Sequence, residues 1–542
     1  MRRVWHTPGS QRFLVPSHSH TRLSGEDLTF WWLDSPTQPT TMAMLMVLDR
    51  TPEPARLHAA FERALEAVPR LTQRVRDAPL DLTLPHWEDD PTFDLDYHVR
   101  FHALSGAADM EELLHEIAPA YETPFDRSRP LWEARVFHRL APGGRAALFF
   151  KLHHAVADGV GANAIFAAMT DAARSAPSPR ASHARRCKGA WPDEPSGSSR
   201  LLEALRDRVE LDFERAGATA RAVVDTLQHP EQIRSALTAL RSIVNVARFD
   251  SRSPLKATAG RARRLSGLEL SFEEVRALKH SLDGTMIDVI LTIMARAMGA
   301  WHRAHRLTVE ELMTLVPVNL RKPEEWAEKA QVGNVATGIL MPLPIRLANP
   351  LASYREVQAR MEAKKGDPAS LASPLLAEAL STLPRQLVTW LSAAAFGNID
   401  FIVTNVPGIL VPRYLAGAEI IAAYPFAPVA LRSPVSVALY GYREHLFVGL
   451  NTDEVLMPDV DRFQHMIRAA FEELQVAVGT KRPHAAPRRE EASSPKRTRR
   501  LSTAGRRSQP RGEVATTPAA GERQQFRARR VVVPRGDRTL QR

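Results

Sequence analysis

Apolar residues fall along this chain in two rhythms: unbroken runs of strand length, and stretches where they recur every three or four positions. Thr41 to Leu48 (TMAMLMVL) reads as a buried strand. Leu57, Phe61, Leu65 and Val68 follow at helical spacing, and Pro69 stops that helix. Trp132 to Phe137 and Ala146 to Leu152 read as two strands joined by the turn Ala141-Pro142-Gly143-Gly144-Arg145. In the second half, Ser271 and Glu274 form a capping pair that opens a helix to about Leu282. A long apolar-faced helix is predicted from Thr285 to His305, a strand from Met313 to Leu320, a helix from Tyr354 to Lys365 and a strand from Ile399 to Thr404. Val435 to Tyr440 and Leu446 to Leu450 read as a hairpin, and Phe463 to Val478 as a closing amphipathic helix. Strands and helices alternate in both halves, which predicts an α/β fold.

Between the halves, residues 175–200 are rich in Ser, Pro and Arg and lack periodicity, so they read as a linker. The resulting scheme has a flexible start (1–20), a first domain (21–174), the linker, a helical connection with a second domain (201–479) and a basic disordered tail (480–542). Leu201 to Arg248 mixes Leu, Val and Phe with many Arg, a composition that suits either core packing or a lipid interface.

Charge sharpens this division. The 542 residues carry a formal net charge of +11, yet residues 481–542 alone hold 18 Lys and Arg against 5 Asp and Glu. The body is therefore nearly neutral, and no specific nucleic-acid partner is expected for it. The tail suits anionic lipid headgroups or non-specific nucleic acid. A single cysteine, Cys187, excludes a disulfide framework and a cysteine-rich zinc site, which points to a reducing, cytoplasmic compartment. No secretory signal is read at the amino end, and no apolar run is long enough to span a bilayer. Leu387 to Val403 is broken by Asn398 and Asp400, and Ile420 to Leu431 is short and holds Pro425 and Pro428. If the protein meets a membrane or lipid droplet, it therefore lies on that surface.

The chemistry concentrates in Lys151-Leu152-His153-His154-Ala155-Val156-Ala157-Asp158-Gly159. Neighbouring side chains on a strand point to opposite faces, so only one of the two imidazoles enters a given cleft. Histidine suits general-base work because it titrates near neutrality. Asp158 either orients the ring or pins the loop through a distant arginine, and Gly159 permits a backbone turn. The plainer alternative makes both histidines satisfied polar groups at a strand end. No HExxH and no second His/Cys cluster is present, so no metal is expected. Cys187 lies in the linker and no GxSxG elbow occurs, which disfavours a cysteine nucleophile and a serine hydrolase.

With its surroundings, this string resembles the bacterial wax ester synthase/acyl-CoA:diacylglycerol acyltransferase family of the HHxxxDG superfamily. His153-His154 through Asp158-Gly159 match HHxxxDG at every fixed position. Leu23-Ser24-Gly25-Glu26-Asp27 looks like the family's LSxxD element, and Pro130-Leu131-Trp132 like its PLW element. Val316-Pro317-Val318-Asn319-Leu320-Arg321, Gly333-Asn334 and Thr404-Asn405-Val406-Pro407-Gly408 resemble its second-half landmarks, so the likeness covers residues 20–479. Two positions depart: Ile287 precedes Asp288 where the family carries Asn, and Thr404 stands where Ser is usual.

The resemblance implies a two-domain, chloramphenicol acetyltransferase-like fold with a tunnel between the domains. It implies His154 as general base, supported by His153, Asp158 and Gly159, with Arg321 a candidate partner for Asp158. Asn405 and Asn319 are implied to shape the site or to make strand-end hydrogen bonds, and Pro130 and Trp132 to bind substrate or pack the core. Acyl-CoA is then a co-substrate with no resident cofactor, and diacylglycerol or a long-chain alcohol the acceptor. The alternatives are a carrier-protein thioester with a specialised alcohol, or a silent lipid-binding homologue.

Overall fold

A computed structural model describes residues 21–175, 198–213 except 203 and 210, residue 217, and residues 248–319, 336–365, 385–429 and 432–480. The first half holds strands β1 (Thr21–Arg22), β2 (Thr41–Leu48), β3 (Gln73–Arg76), β4 (His86–Asp89), β5 (Val99–Ala103), β6 (Trp132–Leu140) and β7 (Arg145–His153). Its helices are α1 (Gly25–Leu33), α2 (Pro54–Ala67), α3 (Leu95–His98), α4 (Met110–Glu122) and α5 (Gly159–Met169). The second half holds β8 (Arg263–Ser271), β9 (Glu311–Asn319), β10 (Ala336–Pro344), β11 (Phe401–Ile409), β12 (Tyr414–Leu415), β13 (Ala418–Phe426), β14 (Val435–Tyr442) and β15 (His445–Asp453). Its helices are α6 (Phe272–Ser281), α7 (Met286–Ala304), α8 (Pro350–Lys365), α9 (Arg385–Phe396) and α10 (Val460–Val478). The linker, Arg321, Gly333, Asn334, most of 201–248 and the tail beyond residue 480 lie outside the described residues.

Two six-stranded sheets carry the molecule, in the orders β12-β13-β2-β7-β6-β5 and β10-β9-β11-β14-β15-β8. Strand β7 lies inside the first sheet between β2 and β6. Its run of Ala146 to Leu152 is buried without alternation, as a strand covered on both faces requires. The even-numbered side chains face α2 and α5, with Phe150 against Phe61, while the odd-numbered Lys151 reaches the carbonyl of Ala120 in α4 at 2.8 Å. Burying each large apolar side chain here stabilises the fold by roughly 1.5–3 kcal/mol. Each half has its own apolar core, the second built on α7, α10 and the inner faces of β9, β11, β14 and β15.

One connection departs from a simple two-lobe reading. After β11 the chain leaves the second sheet, adds β12 and β13 to the edge of the first beside β2, and returns as β14. The apolar run at Ile420 is therefore largely a strand, with Ile420 opposite Leu48 and Phe426 opposite Ala43. Further contacts tie the halves. Asn451 donates to the hydroxyl of Tyr121 at 3.0 Å, and that hydroxyl donates to the carbonyl of Thr41 at 2.6 Å. Buried Arg263 pairs with Asp453 at 3.3 Å and donates to the carbonyl of Thr37 at 3.0 Å. Among the described residues, no helix is long and apolar enough to cross a membrane.

Candidate active site

The end of β7 sends its two histidines to opposite sides, as strand alternation requires. His153 is 1 % exposed. Its Nδ1 accepts the N–H of Ala155 at 3.0 Å, which leaves the proton on Nε2, 3.0 Å from the hydroxyl of Thr40. Asp34 stands 3.8 Å beyond that nitrogen and accepts the N–H of Thr40 at 3.0 Å. Burial works to raise the pKa of Asp34, but its interaction with the His153 ring and hydrogen bonds from Thr40 and Arg127 hold it down to about 2. The Asp34 carboxylate is thus built to stay ionised beneath the histidine pair.

His154 is only half-buried, and its ring lines a pocket of about 770 Å³, counting its open mouth. The ring stacks on Phe30 of α1 with centroids 3.9 Å apart and planes 17° from parallel. The backbone N–H of His154 donates to the carbonyl of Thr40 at 2.8 Å, one step beyond the register pair Thr41–His153. The pocket lies between the halves: β2, β7 and α5 supply Met42, Met44, Phe150, Leu152 and Ile165, and the second half supplies Thr404, Val406, Pro425 and Ala438.

Asp158 is buried and caps α5, accepting the N–H of Gly161 at 2.7 Å. A capping carboxylate suits the positive end of a helix dipole and fixes the loop between His154 and the helix. Gly159 serves space rather than a turn. Its φ is not positive, and a Cβ there would lie 3.0 Å from Val406 of β11. The glycine of the second-half landmark acts alike, since a Cβ on Gly408 would fall 1.6 Å from the carbonyl oxygen of Gly441. The side-chain amide of Asn163 donates to the carbonyl of Pro407, so α5 and β11 are clasped beside the pocket.

The remaining expected site residues divide. Trp132 is a core residue: it is 1 % exposed, stacks on His98 with centroids 4.5 Å apart and donates from Nε1 to the carbonyl of Leu71 at 2.7 Å. Pro130 is buried beside it, and the carbonyl of Leu131 accepts the N–H of His153 at 3.0 Å. The PLW element thereby supports the histidines from behind. Asn405 is exposed and outside the pocket lining, because on β11 it is Thr404 and Val406 that turn toward the pocket. Asn319 closes β9 opposite Ala336. Ile287 and Asp288 open α7, where Asp288 forms a capping box with Thr285 and Ile287 packs on the second core. The departure at Ile287 thus falls at a helix start outside the pocket lining.

Three supports were not singled out from sequence: Thr40, Asp34 and Arg70. Arg70 pairs with buried Asp27 at 3.2 Å and lies 3.5 Å from the carbonyls of Ala155 and Val156, which joins the LSGED element to the histidine loop. Arg70 follows Pro69 in a short 3-10 turn, and no local pattern marks it.

Two sheets sharing a strand exchange, with a histidine of HHxxxDG facing the pocket between them, define a CoA-dependent acyltransferase fold of the chloramphenicol acetyltransferase kind. Residues 23–290 match the wax ester synthase/diacylglycerol acyltransferase catalytic domain, and residues 332–475 match the WS/DGAT C-terminal domain. The chain belongs to that family and is an acyltransferase of it. It is 29% identical over 461 residues to a Mycobacterium tuberculosis protein named as a diacylglycerol O-acyltransferase (Rv2484c), covering 84% of this chain and 91% of that one. It is 26% identical over 457 residues to tgs1 of the same organism, a protein named as a probable diacylglycerol O-acyltransferase, covering 81% and 92%. Among solved structures, the wax ester synthase/diacylglycerol acyltransferase of Marinobacter aquaeolei VT8 shares the fold with a TM-score of 0.56 and 20% identity, over 85% of this chain and all of that one. The first condensation domain of the calcium-dependent antibiotic synthetase does so with a TM-score of 0.55 and 17% identity, over 85% and 97%.

Proposed function

We propose that this acyltransferase moves a fatty acyl group from acyl-CoA to the hydroxyl of diacylglycerol or a long-chain alcohol, yielding triacylglycerol or wax ester. The observation that carries this reading is the placement of the His154 ring on an apolar pocket between the halves while His153 is sealed behind it. His154 takes the proton of the alcohol as its oxygen attacks the thioester carbonyl. The tetrahedral intermediate collapses, the carbon–sulfur bond breaks, and the CoA thiolate leaves with the proton returned by the imidazolium. No acyl-enzyme and no resident cofactor takes part. A thioester is already activated, so positioning and general-base assistance, the latter worth roughly 10²–10⁴-fold, supply the catalysis.

The acceptors are lipids, and the described surface offers a place to meet them. Leu80 is 84 % exposed in the turn after β3, Arg385 at the start of α9 lies 3.9 Å from neighbouring Asp81, and Trp390 of that helix is exposed. Arg208 donates to the carbonyl of Leu82, which brings exposed Leu205 and Val209 to the same rim. Apolar side chains flanked by arginines suit shallow insertion into an anionic lipid surface, so the protein is read as cytoplasmic and peripheral to membrane or droplet.

The deciding experiment is an acceptor screen with CoA release as the readout, run in parallel with acyl-CoA and acyl-carrier-protein donors. CoA release with dioleoylglycerol or hexadecanol supports the proposal. Turnover only from the carrier protein, or lipid binding with no turnover on any pair, contradicts it.

A further inference from the structure

The pocket that His154 faces is lined in register. Met42, Met44 and Met46 project from one side of β2, and Leu152 and Phe150 of β7 stand opposite Met42 and Met44. His154 continues the β7 series beyond Leu152. Two residues of strand advance about 7 Å, so Met46 lies on the order of 20 Å along the sheet from the His154 rung. Helix α5 runs beside this series from Gly159 to Met169, also a pocket residue, a rise of about 15 Å. The wall closes as it descends, since Met42 and Met44 are half-buried and Met46 is 1 % exposed. Apart from His154, Asn163 and Thr404, the side chains lining it are hydrocarbon or thioether.

The lining is thus apolar and extends along the sheet away from the His154 rung. We propose that Met42, Met44 and Met46 form a ruler for one unbranched hydrocarbon chain of a substrate. The chain lies along β2 with its reacting end at His154, and the rung that its methyl end reaches sets the preferred length. The ruler rests on the acyl transfer proposed above. Methionine side chains are flexible and polarizable, so the preference is graded across neighbouring lengths. The occupant is either the acyl chain of the thioester or the alkyl chain of a fatty alcohol.

Two substrate series separate these sources: octanoyl- to octadecanoyl-CoA with one acceptor, and octanol to octadecanol with one acyl-CoA. Met44→Trp blocks the pocket midway and should lower the hexadecyl-to-octyl turnover ratio by about tenfold or more in one series. Met46→Ala should move the optimum in that same series to longer chains. The series that moves names the occupant. Unchanged profiles in both series, with all proteins turning over, overturn the ruler. Should Met44→Trp fail to fold, Met44→Phe and Met46→Ala give the same reading. Calorimetric binding of hexadecanoate against octanoate reads the ruler without chemistry. The same variants should shift that binding ratio, and an unshifted ratio overturns the ruler even if acyl transfer itself is not observed.

Discussion

The imidazole of His154 lies flat on the ring of Phe30, 3.9 Å between centroids and 17° from parallel. Phe30 belongs to α1, the helix that the LSGED element starts with Ser24 as its cap. The amino-terminal element therefore sets the plane of the proposed base without touching the reacting atoms. Phe30→Ala should lower kcat by about tenfold to a hundredfold with little change in KM, and Phe30→Tyr should restore most of it. A rise in KM at constant kcat would instead place Phe30 in substrate binding.

His153 and His154 should separate stability from catalysis. His153 holds Thr40 and the N–H of Ala155 inside the core, so His153→Ala leaves the buried N–H of Ala155 without its partner. It should destabilise by about 1–3 kcal/mol in denaturant titration. His154→Ala should leave the unfolding midpoint nearly unchanged. Equal destabilisation by the two substitutions would show that both rings act as packing.

Asp158 caps α5, and removing a cap costs about 1 kcal/mol. Asp158→Ala should lose that stability and part of the activity together. Asp158→Asn keeps an acceptor for the N–H of Gly161 and should recover the stability. Thermal melts of both variants check this, and an Asn variant as unstable as the Ala variant would assign the role to the charge instead.

The histidine string was legible because strand alternation and the local motif are short-range signals. Residues 146–152 announce a strand, and a strand end must divide His153 from His154. The long helix predicted from Thr285 to His305 is likewise observed as Met286–Ala304. The insertion of β13 beside β2 was not legible, since Ile420 and Leu48 meet across hundreds of residues and Pro425 and Pro428 obscured the strand. Pro425 is tolerated within that strand, opposite Met44. The role of Asn405 stayed open in the sequence for a simpler reason: a motif fixes neighbours in sequence, but the pleat decides which of Thr404 and Asn405 faces the pocket. Arg70 and Asp34 carry no pattern of their own and become functional only through tertiary contact with the histidine loop.

Asp400 gives a pH prediction of definite sign. Burial pushes its pKa up to about 6, against bonds from the Ser251 hydroxyl and the Met313 N–H, both 2.7 Å. The folded state then binds the proton more tightly than the unfolded chain, whose carboxyl keeps its ordinary value near 3.8. Stability from this group is fully present below that value and is lost as pH rises to about 6. Asp400→Asn can keep both hydrogen bonds while removing the charge. It should stabilise at pH 7.5 by up to about 3 kcal/mol and have little effect at pH 3. Destabilisation of the same size at both pH values would contradict the assignment.

The central claim is that the His154 imidazole deprotonates the acceptor hydroxyl. Its most direct test is CoA release by His154→Ala and wild type, with hexadecanoyl-CoA and either dioleoylglycerol or hexadecanol, on samples matched by thermal melting. The account predicts a loss of about 10²–10⁴-fold in kcat with the melting point retained. Turnover by the folded variant at the wild-type rate would contradict it.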